Sequence, residues 1–242
     1  MSTTDSTPSW VPLDARERRV LGVLVEKAKT TPEYYPLTVA ALVTGCNQKS
    51  NRDPVTNYDQ DDIEEILHGL RRKGAVIQVE AGGRVPRWRH TLYDWLKVSK
   101  VELAVMAELF LRGPQTEVEL RTRAHRMEPI EELSTLQAML QDLASRNLVV
   151  HLSPPGQKRG VIVAHGLYPP TELEKIRQAW ANRINADDEA PLPRAAAVAA
   201  AAQGPPPWAQ EISLLRSELE TLRTALHATQ EEIKQLKDAL GA

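Results

Sequence analysis

Apolar residues recur along the chain first at helical and then at strand spacing, and they do so twice in the same order. Val20, Leu21, Leu24 and Val25 lie on one helical face behind Asp14, an N-cap type, so a first helix is expected to run to about Ala28. Thr38 can cap a short second helix that stops at Gly45. Ile63, Ile66, Leu67 and Leu70 mark a third helix ended by Gly74, after which AVIQVE and RWRHTLY read as strands joined at Gly82 and Gly83. The second round begins near Val98 with VELAVMAELFLRG, resumes as TEVELRTRAHRM and EELSTLQAMLQDLASRN, and closes with LVVHL and VIVAHGLY.

Offsets make the repetition concrete. Pro36, Thr38 and Leu42 match Pro114, Thr116 and Leu120 at a shift of 78 residues. Ile63, Ile66, Leu67 and Leu70 match Leu136, Met139, Leu140 and Leu143 at 73, and His90, Leu92 and Tyr93 match His165, Leu167 and Tyr168 at 75. Shifts that are constant inside elements and change between them are those of a duplicated fold with variable loops. Three helices and a hairpin, twice, read as two winged helices in series: a mainly α fold with small β wings, of the α+β class.

The expected organisation is a polar N-terminus (residues 1–12), a first winged helix (13–95), and a second with a trailing helix (96–184). An Ala/Pro linker (185–208) and a C-terminal coiled-coil helix (209–242) follow. The linker has too little large apolar surface to offset its ordering entropy. Beyond it Ile212, Leu219, Leu226, Ile233 and Leu240 fall every seven residues, with Leu215, Leu222 and Leu236 three places after the first, second and fourth. That seam predicts a homo-oligomer through a coiled coil, against the alternative of a lone amphipathic helix folded onto a winged helix.

Composition narrows the picture further. With one Phe and 5% aromatics the cores must be aliphatic, and the single cysteine, Cys46, rules out a disulfide within the chain. The N-terminus lacks the basic and apolar regions of a signal peptide, and the longest run of small apolar residues, Ala195 to Ala202, is too short to cross a bilayer. A cytoplasmic protein with no membrane association is expected. Net charge is −2 and each winged segment lies within one charge of neutrality, so any nucleic-acid binding must rest on local patches.

Two patches qualify. Asn47, Gln48, Lys49, Ser50, Asn51 and Arg52 form the densest run of hydrogen-bonding side chains, of types that read base edges but also cap helices and build loops. The first wing places Arg84, Arg87, Arg89 and His90 around Trp88 with no acid nearby. Guanidinium groups there suit phosphates and the minor groove; in the alternative, Trp88 faces the core and the arginines alternate outward. Both third helices begin with acids, YDQDDIEE and MEPIEEL, which would meet phosphates on a docked duplex. Arg121, Arg123 and Arg126, diluted by Glu117 and Glu119, read as a solvated helix face. Histidines are scattered without metal-ligand spacing and no nucleophile has a partner, so neither enzyme activity, metal nor cofactor is expected.

YYPLTVAALVTGCNQKSNRDPV (34–55), with ELAVMAELFLRGPQT and ELRTRAHRM, closely resembles the YceH-like family of bacterial proteins over roughly Leu13 to Tyr168. The resemblance implies tandem winged helices and marks Cys46 to Pro54 as a candidate site, with Arg84 and His90 in the wing. The expected function is a DNA-binding or transcription-regulatory protein whose contacts centre on the first winged helix. The alternative is a scaffold whose winged helices bind a protein partner.

Overall fold

A computed structural model describes residues 10–80, 85–154, 156–157 and 160–189. The chain divides into two units, Met1–Ala186 and Asp187–Ala242, and the account below concerns the first. Arg84 and the coiled-coil positions Ile212, Leu215, Leu219, Leu222, Leu226, Ile233, Leu236 and Leu240 lie outside the described residues.

Helix α1 (Ala15–Thr30) opens on the expected Asp14, in a full capping box with Glu17. A single 3-10 turn (Pro32–Tyr34) leads to α2 (Val39–Cys46), capped by Thr38, and then α3 (Gln60–Arg72), capped by Asp59. Strands β1 (Val76–Val79) and β2 (Arg87–His90) form an antiparallel hairpin, followed by the short helix α4 (Leu92–Leu96). The order then recurs: α5 (Lys100–Arg112), β3 (Gln115–Thr116), α6 (Glu117–Ala124), α7 (Leu133–Ser145), β4 (Val149–His151) and β5 (Ile162–His165). Helix α8 (Pro170–Glu189) follows. The chain is thus a mixed α+β protein, with two small antiparallel sheets among the described residues.

The repetition extends to individual pairs. Val76 faces His90 in the first sheet and Val149 faces His165 in the second, each related by the offsets above. Leu37 forms an isolated bridge with Trp88, and its counterpart Gln115 pairs with Val163 as the first residue of β3. Thr38 caps the backbone of Ala41, and Thr116 that of Glu119. In each copy the histidine ending the last strand accepts a backbone N–H two residues on through Nδ1: Leu92 at 3.3 Å, Leu167 at 3.2 Å.

Three elements differ from expectation. RWRHTLY is a strand only to His90, because Leu92 and Leu96 turn inward on α4 and are buried. Strand β3 is two residues long, below the length at which alternation is visible. Helix α8 continues five residues into the segment read as linker; no proline or glycine interrupts it before Pro191.

The core runs continuously through both copies because α1 packs on α5. Ten consecutive α1 residues, Glu17 to Glu26, are buried, one face by its own copy and the other by α5. Gly22 sits at the crossing, where a Cβ would lie 2.8 Å from the Leu111 side chain. This double burial carries charge inward: Glu17, Arg18, Arg19 and Glu26 on α1 and Glu108 on α5 are all buried. Among the described residues no helix is long and apolar enough to cross a membrane.

Candidate functional site

The loop after α2 carries the most specific segment of the sequence, and the structure turns most of it inward. Asn47 closes α2: its Oδ1 accepts Tyr58 N–H (2.8 Å) and its Nδ2 donates to Tyr58 O (2.7 Å). Arg52 has a side-chain exposure of 0% and spends every guanidinium donor. Nε donates to Gly45 O (2.9 Å), Nη1 to Glu26 Oε1 (3.2 Å) and Asn51 O (2.8 Å), and Nη2 to Glu26 Oε2 (2.5 Å) and Gln48 Oε1 (2.9 Å).

From Arg52 the contacts close into a ring that crosses between the copies. Arg126 Nη1, just past α6, donates to Glu26 Oε1 (2.6 Å), and its Nη2 reaches Glu108 Oε2 (3.2 Å). Glu108 Oε1 lies 3.0 Å from Arg112 Nε, an ion pair without hydrogen-bond alignment, and Arg112 Nη2 donates to Asn51 Oδ1 (2.7 Å). Asn51 O returns the circuit to Arg52. Alongside it Asp53 N–H bonds Leu111 O (3.0 Å) and Arg19 Nη2 donates to Pro54 O (2.6 Å). Burial alone would raise the Glu26 carboxyl, but the bonds and charges of Arg52 and Arg126 overcome it and hold the group below the usual carboxylate range.

Of the candidate loop residues, then, Asn47, Gln48, Asn51 and Arg52 are engaged in internal contacts, and Lys49 and Ser50 are exposed. Cys46 is fully buried, and desolvation pushes its thiol up to about 12. In the hairpin, Trp88 is 4% exposed and faces the core, while Arg89 points outward. Arg87 donates from Nη1 to Pro36 O (2.8 Å). The His90 ring lies among Tyr35, Tyr93 and the strand end, and desolvation, with Lys29 and Arg89 nearby, holds its pKa down to about 4.

The acids of α3 are partly neutralised: Arg16 binds Asp62 (2.7 Å) and Glu65 (3.2 Å). The face that remains still shows Asp61, Glu64 and Glu65, with Arg71 and Arg72 at its C-terminal end. Helix α7 shows Ser134, Thr135, Ala138 and Gln141, with one acid, Asp142, paired to Arg146 (2.7 Å). The basic residues of α6 are occupied, Arg121 by Glu131 O, Arg123 by Glu119 and Gln115, and Arg126 by the ring.

Sequence reading missed Glu26, Glu108, Arg112 and Arg19. A usable signal was present in AVMAELFL, where Glu108 is the one charge in an otherwise apolar stretch, since a charge so flanked must find a partner inside. Among the described residues no group of His, Cys, Asp and Glu could hold a metal ion.

The chain is a pair of helical repeats, each with a small hairpin, joined through a ring of charges centred on the buried carboxylates of Glu26 and Glu108. Residues 13–157 match the model of the family described as "Protein of unknown function, DUF480", and the chain belongs to that family. It is 50% identical over 171 residues to a UPF0502 protein of Rhodopirellula baltica, covering 69% of this chain and 71% of that one. To a UPF0502 protein of Geobacter sulfurreducens it is 52% identical over 145 residues (59% and 66%), and to one of Koribacter versatilis 44% over 149 residues (60% and 70%).

Proposed function

We propose that the chain is a DNA-binding or transcription-regulatory protein of the YceH-like kind. Its two repeats act as winged helices in series, with contacts centred on the first hairpin. The observation that carries this reading is the hairpin itself: Trp88 anchors β2 in the core while Arg89, five positions after Arg84 in the sequence, is displayed outward. Exposed Lys49, Arg71 and Arg72 supply further cations on the same copy. Phosphate contacts of this kind make binding strongly salt-dependent.

The test is retention of genomic DNA fragments at about 50 mM salt, where phosphate contacts are strong. Arg84→Ala plus Arg89→Ala should weaken it by about tenfold, as two lost phosphate contacts would. Equal retention by the double variant sinks the reading. The second reading, a scaffold for a protein partner, is favoured by the carboxylates of Asp61, Glu64 and Glu65 on the exposed face of α3. A single stoichiometric protein partner, with no DNA retained at the same salt, decides for it.

The heptad residues Ile212 to Leu240 support self-association as a coiled coil. Full-length protein is expected to run as a dimer or larger in light scattering, and a chain ending at Ala190 as a monomer. Equal, monomeric masses for both would remove the coiled coil from the proposal.

A further inference from the structure

A cavity of about 240 Å³ lies where α1, the segment Asp53–Pro54, the end of α5, the end of β5 and α8 meet. It has room for about eight water-sized groups. Leu109, Phe110, Pro114 and Ile176 make an apolar side. Arg19, Arg112, His165 and Tyr168 bring donors to the other, where the acids are Asp53 and Glu172, the latter already bound by Arg18.

Those polar groups are under-used. Arg19 is 3% exposed, yet no carboxylate bonds it: Nη2 donates to Pro54 O, and Nε and Nη1 have no partner. Every other deeply buried arginine in this region has an acid, Arg52 on Glu26 and Arg18 on Glu172. A buried cation without a bonded carboxylate is costly, and desolvation, with the Arg52 charge, lowers the Arg19 pKa against the weaker opposing pull of Asp53. His165 is 1% exposed and accepts Leu167 N–H at Nδ1, which leaves the ring proton on Nε2. Neither that nitrogen nor the hydroxyl of Tyr168, 5% exposed, has a hydrogen-bond partner among the described residues. Arg112 sets Nε beside Glu108 as an ion pair and donates from Nη2 to Asn51, leaving Nη1.

We propose that this cavity binds a small organic carboxylate with a compact apolar body. The carboxylate would take the spare donors of Arg112, Tyr168 and His165 and offset the buried charge of Arg19, while the apolar body lies against Phe110, Pro114 and Ile176. Since both copies and α8 contribute walls, an occupant would brace the joint between the repeats. The proposal stands on the cavity alone and does not depend on DNA binding.

The probe is hexanoate, with inorganic phosphate as the second arm, added to the full-length protein in anion-poor buffer. Hexanoate should raise the melting temperature saturably, by about 4 °C at ten times its Kd, and should give a stoichiometric calorimetric isotherm. Phosphate lacks the apolar body and should do so weakly or not at all. Arg19→Met removes the buried charge with little change of volume, and should melt no lower than the unaltered protein without ligand while losing the hexanoate increment. Ile176→Trp fills the cavity with Arg19 intact and should lose it too. A saturable phosphate effect equal to that of hexanoate would overturn the carboxylate assignment in favour of a bare anion site. No saturable effect on the unaltered protein, or an equal increment in both variants, would overturn the site itself.

Discussion

Glu26→Gln will lower the unfolding free energy by about 3–5 kcal/mol, the loss typical when one partner of a buried ion pair is removed. The size follows from what the carboxylate does. It is 3% exposed at its side chain and divides its oxygens between Arg52, itself 0% exposed, and Arg126 from the second copy. Glutamine keeps the shape but presents one acceptor and an NH2 that faces guanidinium, so a buried cation is left without its counter-charge. A urea titration reads the effect as a fall in midpoint. Glu26→Gln with Arg52→Met should recover part of the loss, since it removes the fully buried guanidinium that the single variant leaves without a counter-charge, while Arg126 still faces the amide. A second readout is amide exchange at Asp53, whose N–H bonds Leu111 O across the joint and should open faster in the single variant. A single-variant loss under about 1 kcal/mol, the range of an exposed pair, would mean that the ring does not hold the copies together.

The contrast between Arg52 and Arg89 shows which part of the molecule was legible in the sequence. Helix faces, caps and hairpins depend on residues a few places apart, so Asp14, Thr38, the Val76 to His90 pairing and its copy at Val149 to His165 could be read from period and offset. The outward turn of Arg89 against Trp88 likewise follows from strand alternation. Arg52 depends on Glu26, which is 26 positions away, and Glu26 on Arg126, 100 positions away. Nothing local distinguishes an arginine that reads a base from one that closes a joint. The same distance effect hid the role of α1: its apolar face at Val20, Leu21, Leu24 and Val25 is legible locally, whereas the burial of its other side requires α5, which no local pattern places there. Specificity of a sequence motif therefore marked a constraint here, and the constraint is the geometry between the copies.

Acidification from pH 7 to 5 is expected to destabilise the fold through the repeated histidines. His165 is fully buried, stacked on Tyr168 at 3.7 Å, and His90 is half-buried; each has Nδ1 committed as an acceptor, so protonation would both charge a desolvated ring and break its strand-end bond. For His165 desolvation, with Arg18 nearby, lowers the pKa well below 6.5; for His90 it falls to about 4. A folded pKa below the unfolded one means that the unfolded state takes up protons first. Stability is therefore complete above about pH 6.5 and is lost as pH falls from there towards the folded values. His90 contributes up to about 3 kcal/mol over its window, from 1.36 kcal/mol per pKa unit, and His165 adds to it. Glu26 acts in a separate range, below its ordinary value of 4.5, because its folded pKa is depressed. Urea midpoints at pH 7.5, 6.5, 5.5 and 5.0 measure the slope, which should approach that of two protons near pH 5.5. His165→Asn keeps an acceptor for Leu167 N–H but cannot titrate, so its slope should fall by about one proton, or about 1.4 kcal/mol per pH unit. An unchanged slope in that variant would place the acid sensitivity elsewhere and leave the histidine a packing residue only.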